Sequence, residues 1–192
     1  MSRKRPVRQA ARETEAEFQA RAAAASAQYA SRTIADMIDV AGQEAAKRAL
    51  EIAVAGGHTV TIDGPEVERR HLTAGFLTIG GAVNDVTIGG ELYIKVGPTS
   101  VSDILLPCPA EPSRVIKERA LRAASTLIAG DVCDQLDYNG EQLLKLAAER
   151  CRAFDLDVAR RVARTIAALD GKDGPGRIHV AEALAYQNQH PG

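Results

Sequence analysis

Apolar residues return at helical intervals in two separated parts of the chain. Between Asp39 and Gly57, the residues Ala46, Ala49, Leu50, Ala53 and Val54 fall on one stripe, the three-and-four spacing of an amphipathic helix. Gly56-Gly57 ends that run. His58 to Gly64 is β-branched and closes on a Gly-Pro turn, so a short strand follows the helix. Beyond the proline-broken stretch from Leu106 to Pro112, the pattern is helical to the end. Ser113 is read as an N-cap, with Ile116, Ala120, Ala123 and Leu127 behind it. Further helices are expected from about Asn139 to Arg150, from Asp157 to Leu169 with Val158, Val162, Ile166 and Leu169 inward, and around Val180 to Gln187. Four short helices with small loops make a compact bundle.

The middle of the chain has a different period. Val86, Ile88, Leu92, Ile94 and Val96 share one parity, while Thr87, Glu91, Tyr93 and Lys95 take the other, as in a half-buried sheet. Thr-Ile-Gly-Gly occurs at 78–81 and again at 87–90, and the Gly pairs are read as hairpin turns. The expected fold is therefore α+β. A small antiparallel β-meander lies between an N-terminal helical segment (1–32 in a division at 32 and 112) and a C-terminal four-helix bundle (113–188). A phosphate-cradling loop is the sharper reading of the glycines, but neither pair leads into a helical pattern.

Composition narrows the function classes. Lys and Arg number 24 against 25 Asp and Glu over 192 residues, a net charge of −1, so no strong overall field gathers nucleic acid or acidic lipid. The exception is the tip, where Arg3, Lys4, Arg5 and Arg8 cluster. That cluster reads as a solvated tail, with nucleic-acid contact as the competing reading. Trp is absent and aromatics are 4%, which leaves little to build base-stacking platforms. Three widely spaced cysteines, Cys108, Cys133 and Cys151, fit neither a disulfide framework nor a zinc ribbon. No signal-peptide core and no membrane-length apolar run is visible, and the expected location is cytoplasmic.

Two stretches carry a resemblance. The run Asp39-Val40-Ala41-Gly42-Gln43-Glu44, continuing through Ala53 to His58, resembles the entry to the AAA+ module of magnesium-chelatase-type ATPases, in their competence-related, helicase-like branch. Leu143 to Arg150, Arg161 to Gly171 and His179 to Tyr186 resemble the helical lid of the same proteins. The resemblance implies a ring-forming ATPase that uses ATP and magnesium.

The residues for that chemistry can be checked singly. A phosphate loop needs glycines to expose backbone N–H groups, a Lys for the outer phosphates and a Ser or Thr for magnesium. The matching place reads Gly64-Pro65-Glu66-Val67-Glu68-Arg69-Arg70-His71. Only Gly-Pro is kept, and Arg70-His71 replaces Lys-Ser. No Asp-Glu dipeptide exists in the chain, and Glu91 and Asp103, the nearest acids, each lack a second one. The lid arginine expected of the family falls on Phe154, although Arg161 and Arg164 follow it. From His71 to Leu106 there is also too little chain for the family's five-stranded sheet, so the doubly wound layer is not expected. Gly64, Arg70 and Arg161 are what remains of a vestigial nucleotide site. No catalytic or metal-binding residue is assigned.

Other chemistry is sparse. His58, His71, His179 and His190 form no metal-ligand or triad spacing, and Asp131, Asp134 and Asp137 read as a solvated turn, since a calcium loop's Gly and Glu are misplaced. The leading expectation is a non-catalytic AAA+ derivative without cofactor that packs against itself or an intact AAA+ relative. The alternative is an ATP-dependent chelatase-like or DNA-remodelling subunit with an atypical nucleotide site. A small β/α binding module is the third reading.

Overall fold

A computed structural model describes residues 14–107, 110–150 and 154–187. The basic tip (Arg3, Lys4, Arg5, Arg8), Cys108, Cys151 and His190 lie outside them. Helix α1 (Glu15–Ala30) opens on a capping box in which Thr14 and Glu17 exchange hydrogen bonds, the arrangement that satisfies free N–H groups at a helix start. A single 3₁₀ turn (Met37–Asp39) precedes α2 (Glu44–Gly56), and α2 feeds strand β1 (Val60–Asp63). Next come α3 (Glu66–Ile79), a second 3₁₀ turn (Val83–Asp85), β2 (Leu92–Lys95) and the short α4 (Val101–Leu105). The C-terminal helices are α5 (Ser113–Ala129), α6 (Tyr138–Arg150), α7 (Leu156–Leu169) and α8 (Arg177–Ala185).

The α+β class and the four C-terminal helices agree with the pattern, but the expected antiparallel meander is corrected. β1 and β2 run parallel, with Val60 opposite Leu92 and Asp63 opposite Lys95. The return of the chain between them is made by α3, which ends at the first of the Gly pairs read as hairpin turns. Parallel neighbours require a crossover rather than a tight turn, and the first Gly pair serves that crossover: Gly80 closes α3 at φ 110°. At the second pair, Gly90 lies against the β1 backbone, where a Cβ would meet the Val60 carbonyl carbon at 2.6 Å. Both outer edges are partly covered. The Val60 carbonyl accepts from Thr87 N–H beside one edge, and Tyr93 N–H donates to the Tyr186 carbonyl at the other. Ser113 also differs from its expected role. Pro112 takes the N-cap position of α5, and the buried Ser113 hydroxyl instead accepts from Met37 N–H and donates to Asp36.

The larger of two apolar clusters among the described residues joins the sheet to the bundle. It includes Leu50, Ile52, Val60, Leu72, Phe76 and Ile94 from the first half, and Ile116, Val162, Ile166 and Val180 from the second. α7 is its axis. Val158, Val162 and Ile166 lie on one buried ridge and Ala159, Ala163 and Ala167 beside it, small enough for α2, α5 and α8 to approach closely. No helix among the described residues is long and apolar enough to cross a membrane.

Candidate functional site

Ligands of open parallel sheets bind beyond the carboxyl ends of the strands, so the turn from β1 into α3 comes first. Gly64 has φ 151°, and a Cβ there would lie 2.5 Å from the Val96 carbonyl oxygen. Glycine is required by this close approach. Pro65 is the N-cap of α3 and Glu66 its first residue, so two residues span the distance from strand to helix. The first two turns of α3 contain no lysine and no hydroxyl side chain. Glu66 and Glu68 occupy its first turn, where the helix dipole favours negative charge. Glu68 is buried, and its Oε1 accepts the Thr99 N–H at 2.8 Å, tying the segment after β2 to the helix start.

The three residues expected at a vestigial site are not gathered in one place. Gly64 lies at the carboxyl end of β1. Arg70, one turn further along α3, donates to the Ala30 carbonyl at the end of α1. Arg161, on α7, reaches the other end of the sheet, where it meets Glu91 at 2.5 Å just before β2. A four-residue strand separates the two ends by about 13 Å. Asp103 is occupied locally: its carboxylate accepts from the Ser100 hydroxyl at 2.6 Å, and Ser100 caps α4. Arg164 pairs with Asp134 at 2.9 Å and donates to the Val132 carbonyl. Phe154 packs on the main apolar cluster.

Glu91 anchors a second polar group. His58 Nδ1 lies 2.7 Å from its Oε2, and His58 Nε2 lies 2.9 Å from the Thr165 hydroxyl. Burial pushes the His58 imidazole below its usual range despite the Glu91 carboxylate, and the Arg161 charge adds to the depression. Burial alone would raise the Glu91 carboxyl, but hydrogen bonds from His58 and Arg161 outweigh it and hold the group low. A neutral His58 with its proton on Nδ1 donates to Glu91, while the Thr165 hydroxyl beside Nε2 also lies 3.1 Å from the Arg161 carbonyl, to which it donates along α7. Although the order Glu, His, Thr resembles a nucleophile chain, Thr165 is 2% exposed, so no substrate reaches its hydroxyl. The group is a tie between the sheet and α7.

Another tie was not foreseen from the sequence. Glu51 of α2, 3% exposed, is held by Arg119 of α5 at 2.5 Å and by Arg48 at 3.3 Å. Arg48 continues to Glu182 at 3.1 Å on α8 and to Asp170 at 3.0 Å after α7, while Arg119 also meets Glu111 at 2.7 Å. The carboxylate hydrogen bonds raise the Arg119 guanidinium further. For Arg48, burial opposes the charge and Glu182 and Asp170 overcome it. A cleft of about 240 Å³ beside this network is lined by Glu44, Lys47, Glu51 and Arg119 among others. Its cations and carboxylates are already joined, Lys47 to Glu44 at 2.9 Å. The only sequence signal was an apolar helix carrying charges at Lys47, Arg48 and Glu51, which by period alone reads as a solvated face.

Elsewhere, Asp137 caps the turn into α6 by accepting the Gly140 N–H at 2.6 Å. Among the described residues no group of three or more His, Cys, Asp or Glu is placed to hold a metal ion.

Comparison with known proteins places these parts. The family model for magnesium chelatase, subunit ChlI, matches residues 36–78, which run from the first 3₁₀ turn through α2 and β1 to the end of α3. The model for the ChlI C-terminal region matches residues 113–187, the whole of α5 to α8. No curated protein and no solved structure gives a match. The two matched stretches span more than half of the chain in the family's order, on either side of β2 and α4, and the chain belongs to the magnesium-chelatase-type AAA+ family.

Proposed function

We propose that this chain is a non-catalytic AAA+-derived assembly or regulatory module, which packs against itself or against an intact AAA+ relative and carries out no ATP hydrolysis. The observation that carries this reading is the two-residue connection from β1 to α3. A triphosphate is held by a loop of backbone N–H groups with a lysine and a hydroxyl residue behind it. Here the helix begins at Glu66, Gly64 is closed against Val96, and Glu66 and Glu68 supply negative charge at the helix start. ATP and magnesium do not fit those residues, and Arg161 stands at the opposite end of the sheet.

The ties across the molecule support the same reading. A motor's lid must move against its core when nucleotide is bound and released. Here α2 is joined to α5 and α8 through Glu51, Arg48 and Arg119, and the sheet is joined to α7 through His58, Glu91 and Arg161. A shape held in this way suits a surface that a partner recognises.

Calorimetry with ATP and magnesium tests the proposal. The expected result is no binding tighter than about millimolar and no phosphate release above background. Micromolar binding would favour the alternative of an ATP-dependent chelatase-like subunit. Light scattering on the same samples, with and without an intact AAA+ relative, tests the packing half. A mass that stays that of one chain in both cases contradicts it.

A further inference from the structure

We infer that α1 is a detachable clasp, released from the body when the imidazole of His71 takes up a proton. The helix packs on α4 and buries little of itself. Every residue from Thr14 to Arg21 is exposed, and along α1 only Ala22 and Tyr29 are buried. Tyr29 is the anchor: its hydroxyl accepts the Ala41 N–H at 3.1 Å, and its ring meets the His71 ring edge-on, with centroids 4.6 Å apart and planes at 84°. Arg70 donates to the Ala30 carbonyl, and Arg32 just beyond the helix pairs with Asp39 at 2.5 Å.

His71 is the unusual member of this seat. It is 1% exposed, and neither ring nitrogen makes a well-aligned hydrogen bond, although the Arg32 backbone faces the ring. A buried polar group without a partner is costly, and the same group with a charge is far more so. The titratable and charged groups around it are Tyr29 from α1, Arg32 with its partner Asp39 from the segment after α1, and Glu68 and Arg70 from α3 itself. Burial is the main force against protonation; the Arg70 and Arg32 charges add to it, and the Glu68 carboxylate and a hydrogen bond with the Arg32 backbone oppose it without reversing the direction. Lifting α1 removes Tyr29 from the ring and opens the seat to water, where a charged imidazole is tolerated.

The sign follows from linkage. In the docked state His71 holds its proton less well than an ordinary histidine, whose pKa is 6.5. Docking is therefore at full strength above that pH and is lost progressively below it, by at most tenfold per pH unit for one proton. Release takes one wall from the cleft of about 1110 Å³ that Ala25, Gln28 and Tyr29 form with Ile38, Ala41, Ile104 and Leu105.

Hydrogen-exchange protection factors in the full chain, corrected for the intrinsic pH dependence of exchange, provide the test. From pH 6.5 to 5.5 the α1 amides from Gln19 to Ala30 are expected to lose up to about fivefold in protection. In His71→Phe, which keeps a flat ring against Tyr29 and cannot be protonated, that loss is expected to vanish. His71→Gln serves the same purpose should the larger ring disturb α3. Wild-type α1 protection that does not change with pH overturns the inference, as does an equal loss in both neutral variants.

Discussion

The two ends of the parallel sheet have been treated in opposite ways. At the carboxyl end the path from β1 to α3 is cut to Gly64 and Pro65, and the helix start is filled with the protein's own carboxylates. At the amino end His58, Glu91, Arg161 and Thr165 form a continuous chain of contacts from strand to α7, and the Arg48 and Arg119 network repeats the connection between helices. Beyond the carboxyl end the helix start carries only Glu66 and Glu68 as charges, whereas at the amino end charged and polar side chains are linked from element to element. The first half and the C-terminal helices share one apolar core.

Gly64→Ala strikes the shortened end and should have the largest effect. Its Cβ meets a backbone carbonyl that cannot turn aside, at a φ that L-residues avoid, and a loss of about 3 kcal/mol is expected in urea denaturation. Glu51→Ala strikes the tied side and leaves Arg48 and Arg119 without their buried partner. Their remaining carboxylates and partial exposure lower the usual cost of breaking a buried pair, to about 2 kcal/mol. Gly56→Ala places a methyl group over the His58 ring and the Thr165 hydroxyl and should cost about 1–2 kcal/mol. A denaturation midpoint unchanged by both of the latter would show that the lid is not held by these ties. Arg161→Ala, whose side chain is 55% exposed, should cost less than about 1 kcal/mol and leave ATP affinity where it was. A fall in ATP affinity would return Arg161 to a nucleotide site.

The helices were legible in the sequence because each buries one periodic stripe: Val158, Val162 and Ile166 announce α7 without any partner being known. Sheet direction was not. Leu92, Ile94 and Val96 alternate in the same way whether their neighbour is parallel or antiparallel, and the crossover helix α3 carries a polar stretch, Glu66 to His71, that hides its stripe of Leu72, Phe76 and Ile79. At the candidate site, the absence of a Lys-Ser pair after Gly64-Pro65 could be read directly, since it concerns residue types at adjacent positions. The Glu51 network could not, because its members come from α2, α5 and α8 and meet only through tertiary packing. For the same reason the seat of His71 under Tyr29, 42 residues earlier in the chain, left no local signal.

The most direct test of the account is a distance between the first half of the chain and the C-terminal helices. Spin labels at Asn84 and Lys145, both exposed and on opposite sides of the tied interface, can be placed in a chain whose Cys108, Cys133 and Cys151 are changed to serine. Pulsed dipolar spectroscopy should then return one narrow distance distribution that ATP and magnesium leave unchanged. A second population, or a shift of several ångströms on adding nucleotide, would show a lid that still answers to a working site.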